Sequence, residues 1–211
     1  MATPRRAPGR PAKTSIADIL DAAEAAGLQG LTRAGVADRL GVSAGTIRHH
    51  VESAHRLYSL TAARIFDRLD VRADEQTDWG DYLLTVGLRF ADLVEAHPGL
   101  EDYVLRGPYE RSTLDQFERI MSEIIRRDGR IARPAAHVVG SRVLTLGALM
   151  RAATFDRYPG RARPPGPDRE LVVWTLRAFL RGAREFVASG DVPATTPTPD
   201  ATWTHIPSGD G

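Results

Sequence analysis

Apolar positions along the chain recur every three or four residues and are punctuated by hydroxyl residues, prolines and glycines, so the pattern is helical almost throughout. Ile16, Ile19, Leu20 and Ala23 share one face of a first helix over 16–26, with Ser15 as its N-cap and Gly27 past its end. Thr32 then caps a short helix from Arg33 to Leu40, with Val36, Ala37 and Leu40 inward, and Gly41 breaks it. Ser43 caps a helix over 44–50, and Ser53 caps a longer one to about Leu69, with Leu57, Leu60, Ala63 and Ile65 as its apolar positions. Each of these hydroxyls supplies an acceptor to N–H groups that the first turn of a helix leaves without partners.

Beyond the polar stretch Asp70–Thr77, Trp79, Leu83, Val86, Phe90 and Leu93 repeat at helical spacing and predict an amphipathic helix over 78–97, stopped by Pro98-Gly99. A short piece over 100–105 precedes Gly107-Pro108, and the next helix is predicted over 109–127, with Leu114, Phe117, Ile120, Met121, Ile124 and Ile125 inside. Residues 134–157 are apolar on several faces, through Val138, Val139, Val143, Leu144, Leu146, Leu149 and Met150, and Gly140 and Gly147 permit close helix approach. Such a helix is expected to face both a core and a subunit partner. A Pro/Gly loop over 158–167 leads to a last helix, capped by Asp168 and running to about Ala188, with Leu171, Trp174, Leu176, Phe179, Leu180 and Phe186. The proline- and threonine-rich tail from Gly190 reads as disordered, with Trp203 and Ile206 as its only bulky apolar residues. No segment alternates as a strand and no repeat is present, so the fold class is all-α.

Composition narrows the function. The 211 residues contain no cysteine, which removes disulfides and thiolate zinc sites and fits a cytoplasmic protein. No apolar run is long enough to span a bilayer, and the charged N-terminus lacks the apolar stretch of a secretory signal. Net charge is +1, but residues 1–56 carry eight Arg/Lys against five Asp/Glu, which suggests an anionic partner for that end. Searching for chemistry yields little: there is no G-x-S-x-G, P-loop or G-x-G-x-x-G, and the Glu101-Asp102 pair reads as a solvated helix start. His49 and His50 are adjacent, about 100° apart on a helix, which suits one metal poorly. The sequence therefore reads as that of a non-enzyme without a cofactor or metal.

The helices over 33–40 and 44–50 are joined by a tight turn at Gly41, with Ala37 four residues before it and Ile47 six after it. A small residue lets the helices cross closely, glycine suits a left-handed turn, and the isoleucine returns to a shared core. This is helix-turn-helix spacing, in which the second helix enters the DNA major groove. The wider stretch GLTRAGVADRLGVSAGTIRHHVES resembles the DNA-binding domain of the TetR (tetracycline-repressor) family, whose block reads G-L-T, an apolar helix, L-G-V-S, then G-T-L-Y-x-H-F/V. Gly30, Leu31, Thr32, Leu40, Gly41, Val42, Ser43, Gly45, Thr46, His50 and Val51 match, and Ile47 is a conservative change. Arg48 replaces the usual tyrosine and Ala54 the usual lysine, with His55 and Arg56 following.

The resemblance implies a flexible basic arm (1–14), a helix-turn-helix DNA-binding domain (15–52), a helical ligand-binding and dimerisation domain (53–189) and the tail (190–211). It implies double-stranded operator DNA as partner, contacted by Thr32, Arg33, Ser43, Ala44, Gly45, Thr46, Arg48, His49, His50 and Arg56. Arg5, Arg6, Arg10 and Lys13 form an extended arm suited to a minor groove. Imidazoles gain charge as pH falls from about 8 to 6, so affinity for DNA is expected to rise over that interval. Tyr82, Phe90, Tyr103, Phe117, Met121, His137 and Met150 are the candidate pocket residues, for a small hydrophobic or aromatic effector. A homodimer is expected through about 134–157 and 168–188. The function implied is a homodimeric repressor released from its operator by a small molecule. The competing readings are a helical adaptor acting through protein contacts alone and an enzyme.

Overall fold

The computed structural model describes residues 14–74, 77–151 and 169–190. The described residues form helices α1 (Ile16–Ala26), α2 (Arg33–Leu40), α3 (Ala44–His50), α4 (Ala54–Phe66), α5 (Trp79–Ala96), α6 (Leu100–Arg106), α7 (Arg111–Arg127), α8 (Arg133–Arg151) and α9 (Arg169–Ser189), with no strand among them. None of these helices is long and apolar enough to cross a membrane.

The helix starts follow the caps. Ser15 and Asp18 form a reciprocal capping box, and Thr32, Ser43 and Ser53 each accept a backbone N–H from the first turn of their helix. Asp78 does the same for α5, accepting from the N–H groups of Gly80 and Asp81. Such caps contribute about 1 kcal/mol each. Two described boundaries differ by more than one residue from the sequence expectation. Helix α4 ends at Phe66, although Leu69 beyond it is still buried, and α7 begins at Arg111 because Tyr109 and Glu110 belong to the turn before it. Glu101 is also not the solvated residue its sequence suggests: it is buried, and its Oε2 accepts the Gly99 N–H at 2.8 Å.

Two apolar clusters divide the chain. The head cluster contains Ile19, Ala23, Val36, Ala37, Ile47, Val51 and Leu57, from α1–α3 and the start of α4. The body cluster joins the rest of α4 to α5–α9 around Phe66, Leu83, Val86, Phe90, Ile120, Val143 and Leu176. Helix α4 thus serves both. Arg64 pairs with Asp21 and Arg68 with Glu24, clasping α1 to α4. Gly99, at φ +101°, tucks under Leu28, and a Cβ there would sit 2.9 Å from the Leu28 Cβ. The Tyr58 hydroxyl donates to the Gly99 carbonyl at 2.7 Å, so the head rests on the α5–α6 turn through α4 and the loop after α1.

In the body, α5 and α8 approach each other closely. A Cβ at Gly147 would lie 3.1 Å from the Gly87 carbonyl oxygen, and a Cβ at Gly87 would lie 2.5 Å from Val143 Cγ1. Gly147 therefore acts as the sequence suggests, while Gly140 is in ordinary van der Waals contact and the tighter position, Gly87, lies on the partner helix.

Candidate nucleic-acid interface and effector cleft

The α2–α3 turn is built by Gly41 in the left-handed region at φ +65°. The Gly41 N–H bonds the Asp38 carbonyl at 3.2 Å and the Val42 N–H bonds that of Ala37 at 3.0 Å, closing α2. Val36, Ala37 and Ile47 are buried where the two helices cross. Helical rotation of about 100° per residue then fixes the rest of α3. Opposite Ile47 stand Gly45 and His49, flanked by Thr46 and Arg48, while His50 and Val51 close the last turn.

All of these except Ile47, Val51 and the half-buried Thr46 are exposed. Among the described residues Arg48 has no ion pair or hydrogen bond, and His49 and His50 meet only each other, edge-on with centroids 5.3 Å apart. Ser43 is committed to capping: its Oγ accepts the Thr46 N–H at 3.1 Å and shares a hydrogen bond with Thr46 Oγ1 at 3.0 Å. Arg33 braces the unit, donating from Nη1 to the Glu52 carbonyl at 2.6 Å across the end of α3. Thr32 likewise caps α2 while remaining exposed. Ala44 is exposed at the start of α3.

Gly45 is informative because nothing among the described residues requires it. A Cβ there would make only an ordinary 3.5 Å contact with Ser43 Oγ, whereas glycine inside a helix costs up to about 1 kcal/mol relative to alanine. The exposed α3 face is thus kept flat at Gly45 and left with donors at Arg48, His49 and His50. Arg56 stands apart from the other sequence candidates: it is paired with Glu110, at the turn before α7, and so lies where α4 meets the body. Arg5, Arg6, Arg10 and Lys13 lie outside the described residues, as do 152–168, Trp203 and Ile206.

A cleft of about 360 Å³ opens in the body between α6, α7 and α8, with Phe66 at its floor. Of the seven sequence-predicted pocket residues, Phe117 and His137 line it, with ring centroids 5.3 Å apart and edge-on. The others do not: Tyr82, Phe90, Tyr103 and Met121 are buried in the core, and Met150 packs against it. Tyr103 nevertheless supports the cleft wall, since its hydroxyl bonds Thr113 Oγ1 and accepts the Glu110 N–H, each at 2.8 Å. The lining contributed by α8, Val138, Ser141, Arg142 and Thr145, was missed from the sequence. Its signal was the recurrence of polar residues at three- to four-residue spacing within an otherwise apolar helix.

A second, more open groove of about 330 Å³ lies between α5 and α9, where Arg184 bridges Asp78 at 2.7 Å. Along the outer side of α9, Trp174, Ala178, Gly182 and Phe186 follow one another every four residues. Trp174 and Phe186 are 67% and 60% exposed, and a Cβ at Gly182 would meet nothing within 4 Å. Leu171 beside them and Leu149 on α8 are exposed as well.

No family model matches the sequence, and no curated protein sequence matches it. Solved structures do match its fold. A candidate transcriptional regulator from Streptomyces coelicolor A3(2) is 20% identical, with 86% of this chain and 100% of that one covered at a TM-score of 0.62. A TetR variant from Acinetobacter baumannii AYE in complex with minocycline is 15% identical, covering 85% and 97% of the two chains at 0.62. Another candidate transcription regulator from Streptomyces is 18% identical, covering 90% and 100% at 0.60. With its helix-turn-helix head carried by α4 on a helical body, this chain has the fold of TetR-type transcription regulators.

Proposed function

We propose that the protein is a member of the TetR family: a homodimeric DNA-binding regulator, most simply a repressor, whose grip on an operator is released by a small molecule. The observation that carries this reading is α3, a rigidly braced helix whose outward face holds Arg48, His49 and His50 without ion-pair partners among the described residues, beside a glycine that no internal contact demands. A face of this kind suits a phosphate backbone and the edges of bases in a major groove. The basic arm at residues 5–13 extends the same electrostatic footprint.

The cleft is the effector site in this reading, and its connection to the head is short. Tyr109 lines the cleft, and the next residue, Glu110, pairs with Arg56 near the N-terminus of α4. An occupant that moves Tyr109 moves Glu110 with it, and α4 transmits the shift to the head it carries. Release then follows if the occupied body favours a spacing of the two α3 helices that no longer fits the operator. The ridge on α9, with Leu149 of α8, supplies the dimer contact: bulky ends at Trp174 and Phe186 and small residues between them admit a second copy of the helix.

Selection of binding sites from a randomised duplex pool tests the reading. The selected sequences are expected to converge on an inverted repeat, as a twofold dimer demands. Gly45→Ala protein is expected to retain its helix content and to bind the selected duplex roughly tenfold more weakly, because the added methyl group keeps α3 from the DNA. A pool that shows no enrichment over its starting composition removes the DNA-binding reading.

A further inference from the structure

The polar groups of the cleft are unequally satisfied. The Tyr109 hydroxyl donates to the Val104 carbonyl at 2.5 Å, Thr113 is bonded to Tyr103, and the Ser141 hydroxyl donates to the Val138 carbonyl at 3.0 Å. Besides the Thr145 hydroxyl, two nitrogen-bearing lining residues remain open among the described residues. His137 Nδ1 is buried without a hydrogen-bond partner among the described residues. Arg142, five residues later on α8, lies exposed with no ion pair or hydrogen bond among them. Its neighbours behave differently: Arg133 pairs with Glu118 at 2.6 Å, Arg151 with Glu95 at 3.3 Å, and Arg127 with Glu123 at 2.8 Å.

Among the described residues the lining contains no aspartate or glutamate, so its one permanent charge among them is the Arg142 guanidinium. The nearby carboxylate of Glu118 is already engaged by Arg133. Much of the remaining described lining is apolar, formed by Phe66, Leu105, Leu114, Phe117 and Leu144. A cleft of about 360 Å³ with a few convergent polar groups is of the size that small organic ligands occupy.

We propose that the effector is an amphipathic carboxylate, an aromatic or aliphatic body bearing one acidic group, with that group held by Arg142 and His137 and the body against Phe117 and Leu114. Arginine presents a planar fork of donors that matches a carboxylate, and an anion seated there meets no competing acid among the described lining residues. The expectation of a small hydrophobic or aromatic effector is thereby sharpened: the apolar part fills the cleft, and the charge selects. This inference rests on the cleft being the effector site.

Calorimetric titration of the full chain with two matched probe pairs, naphthylacetate with naphthylethanol and decanoate with decanol, separates the two claims. The carboxylate of at least one pair is expected to bind ten times more tightly than its alcohol, and Arg142→Gln is expected to bring the carboxylate's affinity down to the alcohol's. Equal binding of acid and alcohol, abolished when Ser141→Phe fills the cleft, leaves the cleft as a ligand site and overturns the carboxylate proposal. A preference for the acid that survives Arg142→Gln also overturns it, since the charge is then recognised elsewhere. Failure of all four probes to bind the wild-type protein rejects both the proposal and the cleft as the effector site.

Discussion

Replacing Arg48 and His50 together with alanine is expected to lower operator affinity on the order of 100-fold, with helix content and thermal midpoint unchanged. The two halves of this expectation have separate causes. Both side chains are exposed, and among the described residues Arg48 has no partner while His50 meets only His49, so their removal opens no cavity and leaves no buried group unsatisfied. In the proposed complex with DNA, by contrast, each would be a donor facing phosphate or a base edge, and a good base contact is worth about 1–3 kcal/mol. Electrophoretic mobility shift with the selected duplex, paired with circular dichroism, reads both. A helical adaptor that works through protein partners alone predicts no change in DNA binding, because there would be none to lose.

The second large effect concerns assembly. Trp174→Asp combined with Phe186→Asp is expected to convert the proposed dimer into a monomer, raising the dissociation constant by at least roughly three orders of magnitude, because aromatic anchors of an interface are worth about 2–4 kcal/mol each. The body should remain folded. Both side chains point away from a core that α9 serves through Val172, Leu176, Leu180 and Ala183 instead. Size-exclusion chromatography with light scattering measures the change directly. Operator binding should fall with it, since a monomer engages one half-site of an inverted repeat and forfeits the second as an intramolecular contact. A wild-type chain that elutes as a monomer, or a doubly substituted one that still elutes as a dimer, places the dimer contact elsewhere or removes it.

The difference between what the sequence disclosed and what it hid has a physical basis. Helix starts were legible because a cap is a local event: Ser15, Thr32, Ser43 and Ser53 each act on an N–H within three residues. The α2–α3 turn was legible for the same reason, since Ala37, Gly41 and Ile47 are close in sequence and their burial follows from spacing. Helix ends were less so. Nothing in the sequence marks Phe66 rather than Leu69 as the end of α4, because both are apolar and both are buried.

The cleft was the least legible feature. Periodicity reports that a side chain faces inward, not whether another side chain or an opening lies opposite it. Tyr82, Phe90 and Tyr103 are fully buried against neighbours, while Phe117 one helix away faces the cleft, and the four are indistinguishable by pattern. Arg142 was hidden for the opposite reason. An exposed arginine on a helix commonly pairs with a carboxylate, and only the packed structure shows that this one has no ion pair among the described residues. Arg56 illustrates the limit of motif transfer: its position follows the recognition block, yet it is drawn to Glu110, a residue more than fifty positions away.

The central claim is that α3 reads DNA. The most direct measurement is a fluorescence anisotropy titration of the full chain against the promoter region beside its own gene, with a scrambled duplex as control, repeated over a range of salt concentrations. The account predicts saturable binding to the promoter, at least about 1,000-fold tighter than to the scrambled duplex, that weakens steeply as salt rises because phosphate contacts release counterions. Equal affinity for both duplexes, or binding that does not respond to salt, would contradict it.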